Sequence, residues 1–260
     1  HEFVRDVEPG QRFIIERNGF CRAERVAPES SDVGVFEYIY FARPDSILEG
    51  LPVYNVRKQI GVELACESAV EADVVVPVPD SGVPSAMGYA QASGIPFELG
   101  IIRNHYVGRT FIEPTDQVRN LGVRMKHSAN RPTIDGKRVI LVDDSIVRGT
   151  TSRKIVDMVR AAGAKEVHMR ISSPPTKHSC FYGIDTPERS KLLAAQHELA
   201  TMAELIGVDS LAFISLDGLY RALGHAGREM EKRRYCDACF TGEYPIPLVD
   251  HDAEFGPGTA

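Results

Sequence analysis

The sequence predicts an α/β fold: a doubly wound, mostly parallel sheet with helices on both of its faces. Two apolar, β-branched runs, Asp73-Val-Val-Val-Pro-Val78 and Val139-Ile-Leu-Val142, read as strands buried on both sides. Each is followed by turn chemistry, Pro79-Asp-Ser-Gly82 in one case and Arg148-Gly-Thr-Thr151 in the other. Each turn leads into a helix-period segment, and strands alternating with helices favour a parallel sheet.

Residues 1–45 form a β-rich opening stretch, with strand-like runs at Gln11-Arg-Phe-Ile-Ile15 and Phe36-Glu-Tyr-Ile-Tyr-Phe41. Val56, Ile60 and Leu64 are spaced for a helix over about 55–70. Pro84 suits the first turn of a small-residue helix running to about Ser93. Phe97 to Ile102 reads as a further strand, and a polar stretch from Arg103 to His127 follows. After Asp143 and Asp144 comes a helix with Ile155, Met158, Val159 and Ala162 on one face and Gly163 as its stop. Lys165–Ser172 and Ser210–Ser215 complete the strands. Helices are expected near 187–194, 198–206 and 217–224. No internal repeat is visible. The organisation expected is 1–45 as a connecting segment, 46–225 as the main α/β domain and 226–260 as a C-terminal extension.

Composition narrows the function classes. The chain has 260 residues, 43% hydrophobic and 25% charged, as in ordinary globular domains. A net charge of −6 argues against a nucleic-acid coat. No apolar run approaches the roughly 20 residues that span a bilayer. Five irregularly spaced cysteines do not suggest a secreted disulfide framework, so a cytoplasmic setting is expected. The chain starts at His1 without methionine, as a processed product or fragment would.

The strand that ends in Asp143 and Asp144 carries the strongest chemical signal. Ligands of open α/β sheets bind beyond the carboxyl ends of the strands. A Gly/Thr loop opening a helix offers N–H groups and a positive dipole end to a phosphate. The paired acids suit ribose hydroxyls and a hard cation. Neither the G-x-G-x-x-G pattern nor the lysine-bearing P-loop is present. The stretch from Arg103 to Lys126 carries Arg103, Arg109, Arg119, Arg124 and Lys126 against only Glu113 and Asp116, which fits closure over an anion. Cys236-x-x-Cys239 is open among a metal site, a redox pair and no function. Cys66, with apolar neighbours in a helix, and His168, in a strand, read as structural. Arg43 reads as a surface ion-pair residue.

Asp143-Asp-Ser-Ile-Val-Arg-Gly-Thr-Thr-Ser152 resembles the phosphoribosylpyrophosphate (PRPP) signature of the type I phosphoribosyltransferases. With Glu37-Tyr-Ile-Tyr-Phe-Ala-Arg-Pro-Asp-Ser46, Tyr106-Val-Gly-Arg-Thr-Phe-Ile112 and Cys180-Phe-Tyr-Gly-Ile-Asp185, the chain is similar to the amidophosphoribosyltransferase family over nearly its whole length. The resemblance implies the type I fold, with a flexible lid and a C-terminal extension. It also implies formation of 5-phosphoribosylamine from PRPP and ammonia, the step that commits PRPP to purine synthesis. Asp143 and Asp144 would hold the ribose and, with Ser81, Mg²⁺. Asp80, Ser81 and Gly82 would form the pyrophosphate loop, and Ser145, Arg148, Gly149, Thr150, Thr151 and Ser152 the phosphate loop. Arg124 and Lys126 would act on the pyrophosphate from a lid that includes Arg103, Tyr106 and Arg109. An interdomain role is implied for Arg43.

The family's ammonia comes from an N-terminal glutaminase domain with a cysteine nucleophile. His1-Glu-Phe-Val-Arg-Asp-Val-Glu-Pro-Gly10 is similar to the end of that domain, and the nucleophile is absent, so free ammonia is the expected nitrogen source. One branch of the family holds an iron–sulfur cluster on four cysteines. Cys180, Cys236 and Cys239 match three positions, and Gly34 stands at the fourth, with Cys21 as a conceivable substitute. Homo-oligomers and inhibition by purine nucleotides are further expectations. The competing readings are a nucleobase phosphoribosyltransferase, for which no aromatic stacking site is evident, and a PRPP-sensing regulator, for which no DNA-binding segment is evident.

Overall fold

A computed structural model of the chain describes residues 7, 10–19, 21–25, 32–104, 127–229, 234–246 and 248. A hairpin comes first, β1 (Gln11–Ile15) pairing antiparallel with β2 (Cys21–Arg25). The two-residue β3 (Val33–Gly34) follows. Glu37–Phe41, expected as a strand, is instead a wide helical turn in which the Ala42 N–H reaches back five residues to the Glu37 carbonyl (3.1 Å). The cause is long-range. Arg57, 2% exposed, donates to the carbonyls of Tyr38 (2.8 Å) and Ala42 (2.7 Å) and curls the segment around itself.

The pair β4 (Ile47–Leu48) and β5 (Leu51–Pro52) delivers the chain into α1 (Val53–Glu67). Then come β6 (Val74–Pro77), α2 (Val83–Ser93) and β7 (Ile101–Arg103). Beyond residues 105–126 lie β8 (His127–Ala129), α3 (Arg131–Ile134), β9 (Arg138–Asp143), α4 (Thr150–Ala161) and β10 (Glu166–Ile171). The helix expected near 187–194 is a tight turn, Arg189–Lys191, running into the short α5 (Leu193–Gln196). The chain continues through α6 (Leu199–Ile206), β11 (Ser210–Phe213) and α7 (Leu216–Ala222), then β12 (Tyr235–Cys236) and α8 (Ala238–Thr241).

The central sheet has the order β11-β10-β9-β6, and every pairing in it is parallel. Successive side chains of a strand point to opposite faces. Val75, Ile140 and Val142 therefore meet Ile60 and Leu64 of α1, Tyr89 of α2 and Leu219 of α7. Val74, Val76, Val139 and Leu141 meet Ile155 and Val159 of α4 and Met202 of α6 on the other face. The doubly wound expectation holds.

Two details differ from expectation. The strand read at Phe97–Ile102 is broken, because the Gly100 N–H turns back to the Glu98 carbonyl (2.9 Å). Phe97 makes one bridge to Val75, and β7 pairs antiparallel with β8 outside the main sheet. Cys66 is exposed rather than core, lying one position past buried Ala65 on α1. Among the described residues, no helix is long and apolar enough to cross a membrane.

Candidate functional site

The site is built where β6 and β9 end side by side. The Val78 N–H donates to the Val142 carbonyl (2.8 Å), so the loop after β6 is fastened to the end of β9. Gly82 closes that loop. A Cβ there would stand 2.4 Å from the Val142 oxygen and 2.8 Å from the Val78 oxygen, so only glycine permits this approach. The fastening carries Ser81 to the paired acids, and its hydroxyl donates to an Asp144 oxygen.

Asp143 and Asp144 are 8% and 9% exposed. The Ser145 hydroxyl donates to the other Asp144 oxygen (2.6 Å), and the Asp144 N–H donates to Asp143 Oδ1 (2.9 Å). Burial holds the Asp143 carboxyl well above the usual carboxylate range, and the neighbouring Asp144 adds to the effect. Asp144 is also raised by burial, against the lowering pull of Ser145, Ser81 and the Arg57 guanidinium. Two acids in this state suit a cation or hydroxyl donors between them.

Downstream, Gly149 adopts φ 75°, a left-handed conformation, and α4 starts with no side-chain cap. The first-turn N–H groups of such a helix suit an anion. Arg148, Thr150 and Thr151 are exposed there, whereas Ser152 is buried, so what it offers an anion is its N–H. On the other side, Arg103 at the end of β7 pairs with Asp80. Asp80, Ser81, Arg103, Arg57 and His127 share a hollow of about 520 Å³ with Tyr40 and Phe41. Tyr40 and Phe41 are exposed aromatics that the sequence reading placed in a strand. Arg57 was missed as well: it looks like any arginine of an amphipathic helix until the turn it grips is seen. Arg124, Lys126, Tyr106 and Arg109 lie outside the described residues.

A family model described as the phosphoribosyl transferase domain matches residues 62–177, a range that includes the loop after β6, both acids and α4. The amidophosphoribosyltransferase of Rhizobium etli is 57% identical over 259 residues, covering 97% of this chain and 52% of that protein. That of Bacillus subtilis is 52% identical over 247 residues, covering 95% of this chain and 52% of that protein. The structure of glutamine PRPP amidotransferase from B. subtilis, complexed with ADP and GMP, superposes with a TM-score of 0.83 at 51% identity, covering 95% of this chain and 54% of that one. The chain is therefore similar to amidophosphoribosyltransferases over almost its whole length, and its residues 62–177 match the phosphoribosyl transferase domain. It spans about half the length of the curated relatives it matches.

The cysteines that resemble the family's cluster ligands line a different cavity from the hollow that holds Asp80 and Ser81. Cys180, Cys236 and Cys239 line one cavity of about 380 Å³, together with Asp32, Gly34 and Glu37. β3 and β12 pair in parallel, with Gly34 opposite Cys236. Burial pushes the Cys239 thiol up, and the nearby Cys180 and Cys236 add to the shift. Among the described residues, no three His, Cys, Asp or Glu side chains are arranged to hold a single metal ion. Cys21 is exposed in the β1–β2 hairpin, opposite Ile15, and does not line this cavity. Arg43 pairs with Asp45 at the surface (2.8 Å).

Proposed function

We propose that the chain transfers the 5-phosphoribosyl group of PRPP to ammonia, releasing pyrophosphate and forming 5-phosphoribosylamine, the committing step of purine synthesis. The observation that carries the reading is the meeting of Ser81 and Asp144, which sets the loop after β6, the paired acids and the start of α4 around one strand end. That arrangement offers grips for a pyrophosphate, a ribose and a 5′-phosphate in the order in which PRPP presents them.

Asp143 and Asp144 accept from the ribose hydroxyls and fix the ring, so that ammonia meets C1 opposite the leaving group. As pyrophosphate departs, positive charge builds on the ring, and the acids beneath it favour that charge. The N–H groups of Gly149 to Thr151 at the start of α4 anchor the 5′-phosphate. Arg103 at the mouth, with Arg124 and Lys126 in the lid, meets the pyrophosphate and excludes water. Ser81, Asp143 and Asp144 form an all-oxygen donor set that fits Mg²⁺, an ion usually held by few protein ligands and by substrate phosphates. When bound there, Mg²⁺ supplies neutralisation of the leaving group's charge.

Three cysteines line the second cavity, and thiolates are the ligands that hold iron–sulfur clusters, which supports a cluster there. Purine nucleotides as inhibitors, a homo-oligomer and a cytoplasmic setting belong to the same reading. The B. subtilis relative complexed with ADP and GMP supports the first of these.

The test mixes the purified chain with PRPP, Mg²⁺ and either ammonia or glutamine and measures pyrophosphate release. Ammonia-dependent release is expected. Replacing Asp143 and Asp144 together by asparagine should lower the rate by roughly 100-fold or more. Tight PRPP binding without turnover would favour a regulator, and turnover with a purine base in place of ammonia would favour a nucleobase enzyme.

A further inference from the structure

We propose that Asp32 supplies the fourth ligand of the iron–sulfur cluster in the thiol-lined cavity, completing a set of Cys180, Cys236, Cys239 and one carboxylate. This rests on the cluster reading above and names the ligand that reading lacks.

The pairing of β3 with β12 sets the geometry. Gly34 lies opposite Cys236, so a ligand from the β3 strand would sit across from a known thiol. Position 34 itself contributes no side chain, and nothing lies within 4 Å of where its Cβ would stand, so the wall has a gap there. Residues two apart on an extended chain project from the same side, about 6.6 Å from each other. Residue 32 is therefore the nearest same-side position preceding the gap, and Asp32 lines the cavity. Glu37 lines it too, but it starts the wide helical turn, beyond the buried residues Val35 and Phe36. Carboxylate oxygen is an established ligand type for protein-bound iron. On ligation each thiol gives its proton to solvent, and the aspartate binds as it stands. A cluster assembled from equal ferrous and ferric iron with sulfide takes up and releases no electron.

The experiment incubates the anaerobic chain with ferrous iron, ferric iron and sulfide, removes the excess, and measures iron and sulfide per chain, absorption near about 400 nm and the electron paramagnetic resonance spectrum. The parent chain is expected to retain about four irons. Asp32→Ala is expected to lose about one of them as ferrous iron and, after one-electron oxidation with added ferricyanide, to show the spectrum of an oxidised three-iron cluster, with an unchanged thermal midpoint as the folding control. Gly34→Cys added to Asp32→Ala is expected to restore the four-iron form, because position 34 has room for a thiol. If Asp32→Ala keeps four irons and an unchanged spectrum, the Asp32 assignment fails while the cluster reading stands. Loss of the fourth iron only in Glu37→Gln would overturn the assignment in favour of Glu37. If the parent chain takes up no iron while Gly34→Cys does, both the cluster reading and the assignment fail.

Discussion

Asp144 receives a hydroxyl on each of its oxygens, Ser145 from its own loop and Ser81 from the neighbouring one. Ser81 is thus the link through which the loop after β6 registers against the acids. A hydrogen bond to a charged group contributes about 1.5–3 kcal/mol. Ser81→Ala should therefore lower the thermal midpoint, by losing about 1.5–3 kcal/mol of stability, and also weaken PRPP binding by roughly 10–100-fold, as thermal unfolding and calorimetric titration would show. A second residue acts on stability alone. Arg138 donates to Asp73 through its guanidinium (2.9 Å) and its backbone N–H (2.8 Å), and these contacts lower the carboxyl from 3.8 to about 2. A depressed acid stabilises the fold fully above its unfolded pKa and ceases to do so as the pH falls through the folded value. The midpoint difference between the parent chain and Asp73→Asn should be constant above about pH 4 and shrink toward pH 2, which thermal unfolding across that range would record.

Among the elements, α1 and α2 cross more closely than their sequences announce. A Cβ on Gly61 would stand 1.9 Å from the Ser85 carbonyl oxygen, and one on Gly88 1.9 Å from that of Lys58. The two glycines let the backbones touch, and Ser85 Oγ donates to the Arg57 carbonyl (3.0 Å) across the same crossing. Gly61→Ala or Gly88→Ala must separate the helices and should destabilise the chain by about 1–3 kcal/mol in chemical unfolding, although alanine is the better helix former. Because α1 carries Arg57, the shift should also loosen the turn beneath Tyr40 and Phe41. The strands were legible, because buried β-branched runs such as Val74–Val76 and Val139–Val142 need no partner to be recognised. The turn at Glu37–Phe41 was not. Its alternating aromatics carry a strand period, and the guanidinium that overrides it lies 19 residues from Tyr38. The acids, the Ser81 loop and the Gly149 turn were all readable, since their chemistry is local. The Arg57 grip and the glycine crossing exist only in three dimensions.

At the scale of the whole molecule, one buried carboxylate helps join the C-terminal stretch to the α/β body, beside the β3–β12 pairing and the Tyr244 hydroxyl's bond to the Ser179 carbonyl (2.6 Å). Asp237, 1% exposed, sits between Cys236 and Cys239. It accepts from the Tyr220 hydroxyl of α7 (2.9 Å) and from Arg228 Nε (2.7 Å), and Arg228 also reaches Glu243 beyond α8. Carboxylate contacts from Asp237 and Glu243 outweigh burial and raise the Arg228 guanidinium above its ordinary value, so it stays charged at any working pH. A buried pair is weak evidence of net stabilisation, but removing one member leaves an uncompensated charge. Arg228→Met should therefore cost about 3–5 kcal/mol. Arg228→Met with Asp237→Asn should recover part of that loss, since the amide carries no charge to strand, and the two changes should be strongly non-additive in a double-mutant cycle. Denaturant unfolding of the four proteins measures the coupling. Additive costs would mean that Tyr220 and the backbone alone hold Asp237 and that the tail is docked by packing. Strong coupling would place the hold on the cysteine-bearing turn in this one charge pair, so that opening it loosens the thiol-lined cavity before the strand end that carries Asp143 and Asp144.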